Sequence, residues 1–200
     1  SWLPDWIIRA ASISIDNEED IGEAESAVLS FKGVPLLPVP AFTFPLSNRR
    51  KSGVLPPTFG IDSVNGVEVS VPYYWNIAPN RDATLTPSLM SRRGVDLGAE
   101  FRYLEANYTG QAKLNYMPSD SLRDMSRWGY SLTHSGIIDT GLRAVGNVNA
   151  SLSMNRVSDD NYWRDFTRVS PGLTQRLLQN DLNLSWASGN FSTSLRVLKW

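Results

Sequence analysis

"VDLGAEFRYL" occupies Val95 to Leu104. Val95, Leu97, Ala99, Phe101 and Tyr103 share one parity, and Asp96, Gly98, Glu100, Arg102 and Leu104 share the other. Successive side chains of a strand point to opposite faces, so this run reads as a β-strand with one apolar face and one face carrying three charges. The same period of two recurs from Ser52 onward. Val67, Val69, Val71, Tyr73 and Trp75 oppose Glu68, Ser70 and Tyr74; Ala83, Leu85, Pro87 and Leu89 oppose Thr84, Thr86 and Ser88. Ala112, Leu114 and Tyr116 oppose Gln111, Lys113 and Asn115, and later runs around Trp128, Leu142–Met154, Leu182 and Phe191 repeat the arrangement. Turn signals separate them: Asn65-Gly66, Ala78-Pro79-Asn80, Arg93-Gly94, Pro118-Ser119-Asp120, Ser135-Gly136 and Ser188-Gly189-Asn190.

About nine such runs follow Ser52, each roughly ten residues long, whereas strands of soluble sheets average nearer five or six. Ten or so tilted residues is the length that crosses a bilayer. A soluble sandwich buries its apolar faces, and a membrane barrel turns them to lipid around a wet lumen; alternation alone fits both. Strand length, aromatic residues near strand ends (Tyr73, Trp75, Tyr103, Tyr116, Trp128, Trp186, Trp200) and short turns alternating with a long charged loop, Arg156–Pro171, favour the barrel.

Bulk composition narrows the chemistry. The formal net charge of -1 provides no strong field for a polyanion, so nucleic acid is not an expected partner. The absence of cysteine removes disulfides and thiolate catalysis, and His134, the single histidine, cannot build a multi-histidine metal site. No run of about 18 apolar residues is present to form a transmembrane helix. The chain opens without methionine or a signal segment and closes on an interrupted strand pattern, so a fragment of a longer protein is expected.

The first fifty residues read differently. Trp6–Asp16 and Ala24–Phe31 are short strand-like runs, and the best helix candidate, Glu18–Leu29, is weakened by Gly22. Pro35, Pro38, Pro40 and Pro45 crowd Lys32–Leu46, which suits an edge or a connector because proline lacks an N–H. "SNRRKSG", Ser47 to Gly53, reads as a hinge.

The strings "GVPLLPVPAFTFPLSNRRKSGVLPPTFG", "VPYYWNIAPNRDATLTPSLMSRRG", "AEFRYL", "MPSDSLRDMSRWGYSLTHSGIID" and "VSDDNYWRDF" resemble, in this order, the LptD family of LPS-assembly proteins. The resemblance spans nearly the whole chain. It implies an all-β protein: residues 1–46 as the end of a periplasmic β-jellyroll, 47–53 as a hinge, and 54–200 as about nine antiparallel strands opening an outer-membrane β-barrel that is incomplete here. It further implies that lipopolysaccharide, received from a periplasmic bridge protein, is inserted into the outer leaflet, and that an LptE-like lipoprotein plugs the barrel. The barrel would sit among the lipids of the outer membrane. The family's seam between first and last strands is thought to open sideways, and Pro57 and Pro72 match its strand-weakening prolines. Read without the family, they are strand ends or bulges, the role assigned here to Pro56 and Pro87.

Several other residues are candidates. Arg49, Arg50 and Lys51 could meet lipopolysaccharide phosphates, or form a solvated basic turn. Glu68, Glu100, Arg102, Lys113 and Arg143 are expected to line the lumen, and Arg92 and Arg93 to face outward at a turn. Asp159, Asp160 and Asp165 miss the spacing of a calcium loop, and His134 beside Ser135 has no matched acid and points to the opposite face, so neither metal nor catalytic residues are assigned. The expected role is transport without covalent chemistry or cofactor. A general outer-membrane porin or a soluble glycan-binding β-sandwich is the alternative.

Overall fold

The computed structural model describes residues 6–18, 21–46, 50–141, 146–166 and 178–200. The chain divides into two compact units, Ser1–Val54 and Leu55–Trp200.

In the first unit, β1 (Trp6–Arg9) and β2 (Ser12–Asp16) pair with successive halves of β3 (Ile21–Phe31). Both halves keep one register, so they form a single strand interrupted at Ala10–Ala11, where Ala11 N–H still donates to the Glu25 carbonyl at 3.1 Å. The opposite edge of β3 carries β4 (Val34–Pro45). One expectation changes here, and one open alternative is decided. Of the expected helix Glu18–Leu29, residues 21–29 are strand, because β3 has ladder partners on both edges and tertiary pairing overrides weak local propensity; residues 19–20 lie outside the described residues. Of edge or connector, the proline-rich stretch is an edge: a twelve-residue strand whose one ladder partner among the described residues is β3, the placement that proline tolerates. Ala24, Ala27 and Ser30 are buried in this unit. A two-residue strand, β5 (Gly53–Val54), ends it.

The second unit is one antiparallel sheet. Its strands are β6 (Thr58–Asp62), β7 (Gly66–Ser70), β8 (Tyr73–Ala78), β9 (Arg81–Met90), β10 (Gly94–Leu104), β11 (Tyr108–Asp120), β12 (Met125–Asp139), β13 (Asn147–Val157), β14 (Asn180–Ser188) and β15 (Phe191–Lys199). They pair in chain order, with β7 and β8 following one another along the same edge of β9. Counting β7 and β8 as one span makes nine spans among the described residues, and β9 to β15 run from 9 to 15 residues each. A four-residue helix, α1 (Tyr162–Asp165), follows β13. Two expected turns are strand instead. β11 continues through Pro118 to Asp120 with a bulge after Met117, and the chain reverses at Ser121–Asp124. β12 runs through Ser135-Gly136, where the missing side chain makes room for Tyr108: a Cβ on Gly136 would lie 2.6 Å from the Tyr108 Cβ.

Burial in this sheet is inverted relative to a soluble fold. On β10, Val95 and Leu97 are 48% and 47% exposed, whereas Asp96 between them is 3% exposed. Ile61, Val67, Trp75, Leu85, Leu89, Leu114 and Tyr116 are likewise exposed, while Ser70, Asp82, Ser88 and Asn115 are buried. The polar face is therefore the sheltered, concave one, and the greasy face is the outside.

Candidate functional site

Register places the polar side chains in rows across neighbouring strands. Asp82, Arg102 and Gln111 share one row, Thr84, Glu100 and Lys113 the next, and Thr86, Gly98 and Asn115 the third. Arg102 grips Asp82 with a two-point fork, Nε to Oδ1 at 2.7 Å and an Nη to Oδ2 at 3.0 Å. Tyr74 donates its hydroxyl to the same carboxylate at 3.2 Å. Glu100 accepts from Gln111 Nε2 at 2.7 Å and lies 3.7 Å from Lys113 Nζ. Asn115 donates to Asp96 at 3.2 Å, and the Ser70 and Ser88 hydroxyls meet at 2.7 Å. Glu68, Glu100, Lys113, Asp96, Thr84 and Thr86 help line a concavity of about 330 Å³ on this face. Four of the five residues expected to line a lumen thus share one face; Arg143 lies outside the described residues.

Pro57 and Pro72, expected to weaken strands from within, sit instead in breaks between strands. Residues 55–57 separate β5 from β6, and residues 71–72 separate β7 from β8. Each of these two breaks coincides with proline, whose ring has no N–H to donate to a ladder. β6 pairs with β7 through Thr58↔Ser70 to Asp62↔Gly66. Continued in that register, Pro72 would face Pro56, yet its carbonyl accepts from Leu55 N–H at 2.8 Å. One extra residue has been absorbed at Pro56-Pro57, which is the geometry of a β-bulge.

At the end of the sheet shared by the β6–β7, β9–β10, β11–β12 and β13–β14 connections lies a buried ionic cluster. Arg93 and Arg127 are 1% and 0% exposed. Arg127 forks onto Asp159 at 2.6 and 3.0 Å and reaches Asp120 and Asp165 at 3.0 Å each. Arg93 donates to Asp120 at 2.5 Å and to the Asn65 side-chain oxygen at 2.6 Å. Arg123 forks onto Asp165 at 2.9 and 3.1 Å. The Phe166 ring lies under both buried guanidinium groups, 5.3 Å from Arg93 and 4.9 Å from Arg127, and Tyr162 packs on Phe166 at 4.6 Å between centroids. Met90 and Met117, on the polar parity of β9 and β11, complete the packing, so residues 158–166 fold onto the polar face at this end. Burial pushes the Asp165 carboxyl up, but hydrogen bonds from Arg123 and Arg127 and the charge of Arg93 outweigh it and hold the group below the ordinary carboxylate range.

The outer, apolar face carries aromatic groups near both ends. Tyr103 bonds His134 Nδ1 at 2.7 Å, with Tyr108 and Phe101 alongside. Gly110 lies between Tyr103 and His134 in register, and a side chain there would collide with the Tyr103 hydroxyl. Toward the other end Trp128 and Tyr130 stack, with Arg156 5.8 Å over the Trp128 ring.

The LptD protein family matches residues 24–195. The chain belongs to the LptD family. It is 66% identical to the LPS-assembly protein LptD of Albidiferax ferrireducens, over all of this chain and 26% of that protein. The LptD of Acidovorax sp. (strain JS42) is 58% identical over all of the chain and 25% of its own length, and that of Cupriavidus necator 41% over 98% and 23%. The chain therefore spans about a quarter of the length of these relatives.

Within this LptD segment the remaining candidates are dispersed. Arg50 is exposed and Lys51 half-buried, both in the first unit, and Arg49 lies outside the described residues. Arg92 is exposed and donates to the Ser63 carbonyl at 2.5 Å, but Arg93, expected to face outward, turns into the ionic cluster. Asp159 and Asp165, weighed only as metal ligands, are occupied by arginines. Sequence reading missed this cluster because its members lie far apart in the chain, Arg123 and Asp165 by 42 residues and Arg93 and Asp165 by more. The available signal was charge alternation: "SDSLRDMSR" and "SDDNYWRD" place matching aspartates and arginines in two connections of the same end.

Proposed function

We propose that this chain is the part of an LPS-assembly protein in which a periplasmic β-jellyroll ends, within residues 1–46, and an outer-membrane barrel begins, from residue 54, joined by a hinge at 47–53. The whole protein would receive lipopolysaccharide from a periplasmic bridge and insert it into the outer leaflet. The observation that carries this reading is the inverted burial: apolar rows exposed, polar rows sheltered, aromatic groups near both ends of the apolar face. In a bilayer that arrangement removes apolar surface from water and keeps polar groups on a wet interior. Glu68, Glu100, Arg102, Lys113 and Arg143 would then line the lumen, where sugar or an LptE-like plug could meet them. Arg49, Arg50 and Lys51 would meet phosphates at the entrance.

The first span would form one side of a lateral opening. The breaks at Pro57 and Pro72 support this, since each removes ladder donors where no solvent replaces them. The test is Pro57→Ala with Pro72→Ala in the full-length protein, measuring arrival of newly made lipopolysaccharide at the cell surface. Slower arrival at equal barrel abundance is expected; wild-type arrival refutes the gate.

A further inference from the structure

The geometry points to Pro87 as a third gate residue, so that the moving piece is the first hairpin, β6 to β8, and not the first span alone. This rests on the lateral-gate reading above and extends it to a ladder with no assigned role.

The argument is one of register. β7 pairs with β9 through Glu68↔Met90, Val69↔Leu89 and Ser70↔Ser88. β8 pairs with the same strand through Tyr73↔Leu85, Tyr74↔Thr84 and Trp75↔Ala83. From Ser70↔Ser88 to Tyr73↔Leu85 both strands advance by three residues, so the register passes unbroken across residues 71–72. Val71 therefore stands opposite Pro87, and its N–H donates to the Pro87 carbonyl at 3.1 Å. In an antiparallel ladder such a pair exchanges two bonds, one in each direction. Pro87 has no N–H, so the return bond to the Val71 carbonyl cannot form.

One residue on, the other edge of the same span is affected. The Pro72 carbonyl accepts from Leu55, so the Pro72 nitrogen also faces the first span and again offers no donor. The second span is thus short of a donor on both of its ladders at one height, with the Pro56-Pro57 bulge beside it. A single weak ladder would let one strand peel. Two weak ladders at one height let the hairpin bend outward from β9.

Ser70 and Ser88 supply the test. They face each other across the second ladder with hydroxyls 2.7 Å apart, a separation suited to a disulfide after Ser70→Cys and Ser88→Cys. In full-length protein in cells, lipopolysaccharide arrival is compared for the same double variant oxidised and reduced. At least a several-fold loss on oxidation, reversed by reductant, is expected. A second measurement needs no tether. Pro87→Ala restores a donor, and amide exchange of a peptide covering residues 67–75 should slow by about fivefold, the factor that one net hydrogen bond supplies. Equal delivery in both redox states together with unchanged exchange overturns the proposal. If Pro57→Ala with Pro72→Ala slows delivery while the tether and Pro87→Ala do not, the gate stands and the hairpin proposal fails. If none of the three alters delivery, the gate reading itself fails, and this proposal with it.

Discussion

Replacing Arg127 by methionine should release the segment that follows β13. Arg93, Arg123 and Arg127 face Asp120, Asp159 and Asp165, so three positive charges balance three negative ones. Arg127 is the fully buried member that touches all three aspartates. Methionine approximates its length and keeps contact with the Tyr162 and Phe166 rings, so the perturbation is mainly one of charge. Loss of one partner leaves an uncompensated buried carboxylate, a change that costs about 3–5 kcal/mol. At about 1.4 kcal/mol per decade, opening of residues 158–166 should rise by roughly two to four orders of magnitude. The assay is amide hydrogen exchange of the full-length protein, followed on peptides covering 158–166 and 120–127. Adding Asp159→Asn restores neutrality, so the double variant should recover part of the lost protection. Exchange within twofold of wild type in Arg127→Met, or a double variant less protected than the single, would refute the claim that this cluster pins the segment.

The same cluster carries a pH prediction. Asp165 has its folded value depressed, so its stabilising contribution is present above the unfolded carboxylate value, near 4, and is lost as pH falls through the folded value. Protection of 158–166 should be flat from pH 8 to about 5 and decline below about 4; a decline centred near 6.5, where histidine titrates, would contradict the assignment. Leu97→Arg puts a charge on the exposed apolar face and should cost about 2–4 kcal/mol when folding into bilayers is titrated with denaturant, whereas Thr86→Arg on the polar face should cost much less. Equal costs would mean that the apolar face does not meet lipid. Gly110→Ala should break the Tyr103–His134 hydrogen bond, because the new methyl takes the place of the Tyr103 hydroxyl, and should cost about 1–3 kcal/mol in the same titration.

Much of the second unit was legible because a period of two survives in each span. Val95 to Leu104 assigns its faces correctly from parity alone, and the rows that follow agree with the observed register. Turn chemistry was less reliable. Pro118-Ser119-Asp120 looks like a reversal, but the bulge after Met117 lets β11 continue, and Gly136 marks close backbone approach rather than a turn. In the first unit, proline density left β4 open between edge and connector, since an edge strand tolerates missing donors that a central strand does not. The ionic cluster was the largest omission. Parity governs side chains within strands, and Arg93, Asp120, Asp159 and Asp165 sit at strand ends or beyond them, where only the folded connections bring them together.

The unbroken numbering across Val71 and Pro72 has a mechanical consequence. A zip that loses a tooth without shifting its track meshes at the same place each time it shuts. The bulge at Pro56-Pro57 adds a notch on the neighbouring rail, a fixed one-residue step beside the missing tooth. Repeated parting would therefore leave no memory: the sheet could yield to a passing molecule many times and still return to one pairing.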